Sequence, residues 1–148
     1  MNPELVAFEW SHLAKLQFRE YDRMGFMAAP DPKVELQLYL DAGIAFSGLV
    51  GDKTIMIGGV CVGMPKVGFA WLLTSNLVKE YPKFFHRSCL EIIEKGIKQY
   101  DLHRLDTTIL EGHQVSIDWA ERIGFEHECL MKKYDTDGNN YHLFAKVM

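Results

Sequence analysis

A chain of 148 residues with 48% hydrophobic content holds enough apolar material for one ordinary core, so a single domain over residues 1–148 is expected, with no need of staples. The formal charge of −4 argues against general nucleic-acid binding, and no apolar run is long enough to cross a bilayer as a helix, so neither nucleic acid nor membrane is an expected partner. Cys61, Cys89 and Cys129 are odd in number and far apart, and Met1-Asn2-Pro3-Glu4 does not open like a secretory leader, which together give the expectation of reduced thiols in a cytoplasmic protein.

Leu5-Val6-Ala7-Phe8 reads as a short first strand. Ser11 is a candidate cap for a helix whose inner face carries Ala14, Phe18 and Tyr21 and which ends at Arg23-Met24-Gly25. After the loop Ala28-Ala29-Pro30, Asp31 as cap and Pro32 at the first helical position start a second helix. Its stripe is read as Val34, Leu38 and Ala42, and Gly43 ends it.

The period then changes. Ile44 to Val50, Thr54 to Val62 and Val67 to Leu73 read as three strands joined by the tight turns Gly51-Asp52-Lys53 and Gly63-Met64-Pro65-Lys66, and so as an antiparallel meander. Gly58-Gly59 in the middle strand signals a bulge or a close backbone approach. The longest helix runs from about Pro82 to Tyr100, with Phe85, Cys89, Ile92, Ile93, Gly96 and Ile97 on one stripe. Glu91 with Lys95, and Glu94 with Lys98, are spaced to pair along its wet face.

Arg104 to Leu110 is the next strand. A strand, a long helix and a strand make a crossover, so the strands on either side of the helix should run parallel. From His113 to Phe125 comes a short amphipathic helix, with Val115, Trp119 and Ile123 on its apolar face and Gly124 as its stop. Leu130 to Tyr134 and Tyr141 to Val147 flank Asp135-Thr136-Asp137-Gly138-Asn139-Asn140, a hairpin with Asp-Gly turn chemistry. The predicted order is β-α-α-β-β-β-α-β-α-β-β, an α/β chain with a mixed sheet and helices on both faces. His86, His103, His127 and His142 have no ligand spacing, so no metal site is expected.

The segment Ser116-Ile117 to Glu121-Arg122-Ile123-Gly124-Phe125 resembles the Asn-x-x-Ser-Ile-x-x-x-Glu-Lys-Leu-Gly-Phe segment of the GNAT family of N-acetyltransferases, closest to the branch that acetylates protein amino termini. The predicted element order is also that of the GNAT fold. The resemblance implies acetyl-coenzyme A as cofactor, in a gap between two splayed strands, with Leu72, Leu73 and Thr74 along the acetyl and pantetheine path. It implies a phosphate loop at Tyr81 to Leu90, where Gln/Arg-x-x-Gly-x-Gly/Ala is the family pattern. This chain has no glycine there, and offers Lys83, His86, Arg87 and Ser88 instead. His113 aligns with the family's pantetheine-contacting asparagine and is the first candidate base, with Glu111 second. Ser116 matches a serine beside the leaving thiol, or is a small residue for packing; Ala120 stands where many members have a tyrosine acid. Phe69, Trp71, Phe84 and Phe85 are open to two readings, pocket wall or core.

Trp71-Leu72-Leu73-Thr74, Pro82-Lys83-Phe84 and Ser116-Ile117-Asp118-Trp119 also resemble small GNAT-like proteins of tailed bacteriophages, often encoded among virion and assembly genes. That implies a phage or host protein as partner, a place in the infected cell or the virion, and a non-catalytic structural or assembly role as the alternative to acetyl transfer to a protein amino terminus or small amine.

Overall fold

In the computed structural model, which describes residues Met1–Met148, the strands Glu4–Ala7 (β1), Gly43–Val50 (β2), Lys53–Met64 (β3), Val67–Thr74 (β4), Arg104–Leu110 (β5), Glu126–Met131 (β6) and Tyr141–Val147 (β7) form one sheet. Their order is β1-β2-β3-β4-β5-β7-β6. Every pairing is antiparallel except β4 with β5, the crossover pair, which is parallel. The helices are Trp10–Ala14 (α1), Glu20–Met27 (α2), Pro32–Asp41 (α3), Pro82–Gln99 (α4) and Gln114–Arg122 (α5), with a 3-10 turn at Asn76–Lys79.

Strand alternation sorts the core onto the two faces. Met56 and Val60 of β3 join Cys89, Ile92 and Ile93 of α4 in the main cluster, which also takes Phe144, Leu105 and Ala120. Ile57 points the other way and packs with Leu16 and Leu73 in a smaller cluster, flanked by Phe26 and Trp71. Gly124, with φ +103°, holds the left-handed turn that ends α5 and delivers the buried Phe125.

Five expectations are corrected. The single helix read after Ser11 is two, because the chain between them is drawn out flat: Leu16 bridges Thr54 and Phe18 bridges Ser75. Its cap is Glu9, in a reciprocal box with His12, and not Ser11. The buried side of α3 is Leu36, while Val34 and Leu38 are 56% and 62% exposed. Leu36 and Leu40 repeat at the same spacing as Val34 and Leu38, so periodicity fits either face and packing against the sheet selects one. On α5 Trp119 and Ile123 pack on the core as expected, with Ala120 buried beside them, and only Val115 is exposed. Last, the first strand of the closing hairpin is β6 at Glu126–Met131 and not Leu130 to Tyr134. Its pairing with β7 and the turn stand, with the Gly138 amide donating to the Asp135 carbonyl at 3.0 Å, while the Asp135 carboxylate accepts hydrogen bonds from the amides of Asp137 and Asn139, the Asn139 side chain and the Tyr141 hydroxyl.

Gly58-Gly59 makes the close approach and not the bulge, since the β2–β3 and β3–β4 registers run through it unbroken. A Cβ on Gly59 would lie 2.3 Å from the Ile44 carbonyl oxygen and 2.7 Å from the Trp71 ring. Gly59→Ala is therefore expected to destabilise by about 1–3 kcal/mol as the strand and indole shift. A lower urea midpoint at unchanged slope checks this.

Candidate active site

β4 and β5 pair only at Val67, Gly68 and Phe69, opposite Arg104, Leu105 and Asp106. The Thr107 hydroxyl then donates to the Ala70 carbonyl at 2.8 Å, and beyond that clasp the strands part. Alternation turns the peptide groups of Ala70, Leu72 and Thr74 toward β5. Ala70 is met by Thr107. Thr74 is claimed by α2: its carbonyl accepts from the Arg19 amide at 2.9 Å, and its amide donates to Asp22 Oδ2 at 2.8 Å. Leu72 lies between them, facing the gap. A cavity of about 250 Å³ occupies this gap and passes through the sheet, from Tyr39, Phe69 and Trp71 on the α2–α3 side to Cys89, Ile92, Trp119 and Ala120 on the α4–α5 side.

α2 and the start of α5 bring the polar groups to the cavity. The Thr74 hydroxyl donates to Asp22 and accepts from Arg19 Nε at 2.7 Å, and the Arg19 guanidinium is 3.8 Å from the same carboxylate. Burial raises the Asp22 carboxyl above its ordinary 3.8, against the opposing pull of Thr74 and Arg19. Across from it His113, only 8% exposed, ends its loop at the start of α5. Its Nε2 is 3.0 Å from Ser116 Oγ, and the Tyr21 ring stacks on the imidazole at 4.7 Å, nearly parallel at 7°. Burial holds His113 below its ordinary 6.5, with Asp22 pulling the other way and Arg19 reinforcing the shift. At neutral pH the imidazole is uncharged and able to accept a proton.

A second hollow, a groove of about 680 Å³, adjoins the cavity and shares Leu72, Ser116, Trp119 and Arg19 with it. It collects Lys79, Lys83, His86, Arg87 and Arg122 with no acidic residue. None of the four lysines and arginines among these is in an ion pair. The start of α4 opens onto it. Tyr81 offers no side-chain cap and Pro82 has no amide hydrogen, so the Lys83 and Phe84 amides lack intrahelical partners. The two phenylalanines at the start of α4 turn inward. Phe84 packs against Gly48, where a Cβ would come within 2.8 Å of its ring, and Phe85 meets Trp119 at 5.4 Å. The donor set fits a phosphorylated thioester such as acetyl-coenzyme A: cations and free amides at one end, an apolar slot with one unclaimed strand amide at the other.

Of the residues named from sequence, His113, Ser116, Leu72 and Leu73 line the cavity, and Lys83, His86 and Arg87 line the groove. Thr74 is buried beside them with its amide taken by Asp22. Ser88 is buried within α4 and lines neither hollow. Glu111 is exposed, accepts from the Asn140 side chain at 3.2 Å and does not reach the cavity. Arg19, Tyr21, Asp22 and Arg122 were not anticipated. In sequence the first three belong to the mixed run Arg19-Glu20-Tyr21-Asp22-Arg23, whose only signal is the i,i+3 spacing of Arg19 and Asp22.

No protein-family model matches the chain, and no curated protein sequence matches it. Solved structures do. The ribosomal-protein-alanine N-acetyltransferase of Brucella melitensis is 12% identical, with TM-score 0.71, over 98% of this chain and 99% of that one. The ribosomal-protein-S18-alanine N-acetyltransferase of Escherichia coli is 13% identical over 99% and 94%, with TM-score 0.69. A GNAT family acetyltransferase from Elizabethkingia anophelis, with acetyl-CoA bound, is 10% identical over 99% of both chains, with TM-score 0.70. The architecture is thus the mixed α/β fold of GNAT acetyltransferases.

Proposed function

We propose that the protein transfers an acetyl group from acetyl-coenzyme A to a primary amine, on a protein amino terminus or a small molecule. The observation that carries this is the through-sheet cavity, which is lined by Leu72, at the parting of the strands, and by the uncharged His113–Ser116 pair, and which continues into a groove of unpaired cations. When bound, acetyl-coenzyme A supplies the acetyl group as a thioester, which a neutral amine converts to an amide with release of the thiol.

The remaining work falls to this chain's residues. Lys83, Arg87 and the open amides at the start of α4 bind phosphate. The Leu72 N–H stabilises negative charge on a carbonyl oxygen in the gap. His113 Nε2 or Nδ1 accepts the proton that an ammonium substrate must lose, and Tyr21 and Ser116 fix the imidazole plane. Glu111, bound to Asn140 outside the cavity, has no part in this.

Acetyl-coenzyme A is expected to raise the melting temperature, by roughly 2.7 kcal/mol of added stability at 100 times its Kd. Charge reversal at Lys83 and Arg87 together should weaken that Kd about tenfold or more, since each charge-assisted contact contributes about 1.5–3 kcal/mol before solvent screening. Calorimetric titration reads both. No heat and no melting shift at millimolar acetyl-coenzyme A would reject the reading. It would favour instead a non-catalytic interaction or assembly role such as the phage resemblance implies, for which the glycine-free start of α4 and the Phe85–Trp119 contact are the motivating features.

A further inference from the structure

The half of the cavity facing α2 and α3 is built unlike the rest. Phe69 and Trp71 rise from the same face of β4, and Tyr39 of α3 covers both, with ring centroids 5.7 and 6.0 Å away. Phe26 and Leu36 close the sides. Below, Gly58 and Gly59 bring the β3 backbone close: a Cβ on Gly59 would meet the indole, so the sheet is kept flat for Trp71 to lie on. The result is an aromatic chamber next to the proton acceptor.

Its charge is as selective as its shape. Glu35 stands at its edge, with Oε1 3.2 Å from the Tyr39 hydroxyl and in no ion pair. No lysine lines the cavity, and its one arginine, Arg19, is committed to Thr74 and Asp22. A carboxylate entering this half would lose its water with no cation to replace it, whereas an ammonium would meet Glu35.

We infer that the acceptor is a primary amine carried on a bulky apolar or aromatic body with no carboxylate beside it. Either an arylalkylamine or a peptide whose first residue is large and apolar presents this chemistry. The inference rests on the acetyl-transfer reading and narrows it to a substrate class. The amine nitrogen points at His113 while the apolar body lies in the cavity against the wall that Tyr39, Phe69 and Trp71 form together.

The test is a panel of amines with acetyl-coenzyme A and the intact protein, with products quantified by mass spectrometry. The panel holds phenethylamine, a peptide beginning with Phe, the same peptide beginning with Ser, and free phenylalanine. The Phe peptide or phenethylamine should exceed the Ser peptide in kcat/KM by about tenfold or more, the discrimination an apolar pocket gives even for small differences in volume. The ratio of the first two identifies the source, and free phenylalanine should be left unmodified. Tyr39→Ala should shrink the Phe-to-Ser ratio, and the wild-type panel decides without it. Equal rates, preference for the Ser peptide, or ready acetylation of phenylalanine overturns the inference and leaves acetyl transfer standing. Acetylation of no amine, with no acetyl-coenzyme A binding, overturns both.

Discussion

His113→Ala lowers kcat by about 10²–10⁴-fold, the span of a positioned acid–base group, and leaves the Kd for acetyl-coenzyme A nearly unchanged. The imidazole is held by Tyr21 on its face and Ser116 at its edge, on the cavity wall and outside the cationic groove, so its loss removes proton transfer without touching phosphate binding. The pH profile supplies a stricter check. Burial places the His113 pKa below its ordinary 6.5, so the neutral base is still populated at that pH and the acid limb of kcat/KM, which reports the free enzyme, lies lower still. An acid limb above 6.5, or a rate that ignores the substitution, would assign the base elsewhere. The same shift has a stability sign. The unfolded chain binds this proton more readily than the folded one, so the stability due to uncharged His113 is complete above 6.5 and is lost as pH falls from 6.5 through the folded value.

Local pattern carried the framework. α4 was legible because Cys89, Ile92, Ile93 and Gly96 repeat on one face of a long segment that packs on a single sheet. β5 was read to the residue, and Gly124 marked the end of α5 because a positive φ leaves few alternatives. Less was legible where distant partners decide. Nothing near Leu16 and Phe18 announces that Thr54 and Ser75 will draw them into extended bridges and split a helix. The site divides in the same way. His113 and Ser116 are neighbours on one helix turn and stood out together. Asp22 becomes a site residue only because the sheet carries Thr74 to it, some fifty positions away in the chain. The glycine-free start of α4 could be read only as bulk at a phosphate site. That its rings turn inward depends on Gly48 in β2 and Trp119 in α5, which local pattern does not connect to it.

That Asp22–Thr74 contact carries the largest expected effect on stability. Asp22→Ala strands the Thr74 amide and the Thr74 hydroxyl proton together, and leaves Arg19, whose Nε still reaches Thr74 Oγ1, without its nearby counter-charge. Breaking a buried pair in this way costs about 3–5 kcal/mol. Asp22→Asn should behave differently. It keeps one oxygen in the place of Oδ2, where it accepts from both the Thr74 amide and the Thr74 hydroxyl as the carboxylate does. It gives up a charge that the site tolerates poorly, since burial has raised the carboxyl above 3.8. The Asn variant is therefore expected within about 1 kcal/mol of wild type at neutral pH.

Acid titration then separates charge from hydrogen bonding. Between 3.8 and its raised folded value, Asp22 binds more protons in the folded chain than in the unfolded one, so the wild type gains stability as pH falls through that window. The Asn variant has no such group and gains nothing there. His113 titrates in both proteins, so its opposite trend drops out of the difference. Urea unfolding of the two at neutral pH and near pH 4 should show the wild type rising relative to Asn on acidification. If Ala proves as mild as Asn at neutral pH, then α2 is not held to the end of β4 by this carboxylate, and the geometry of the Leu72 amide beside it must depend on the sheet alone.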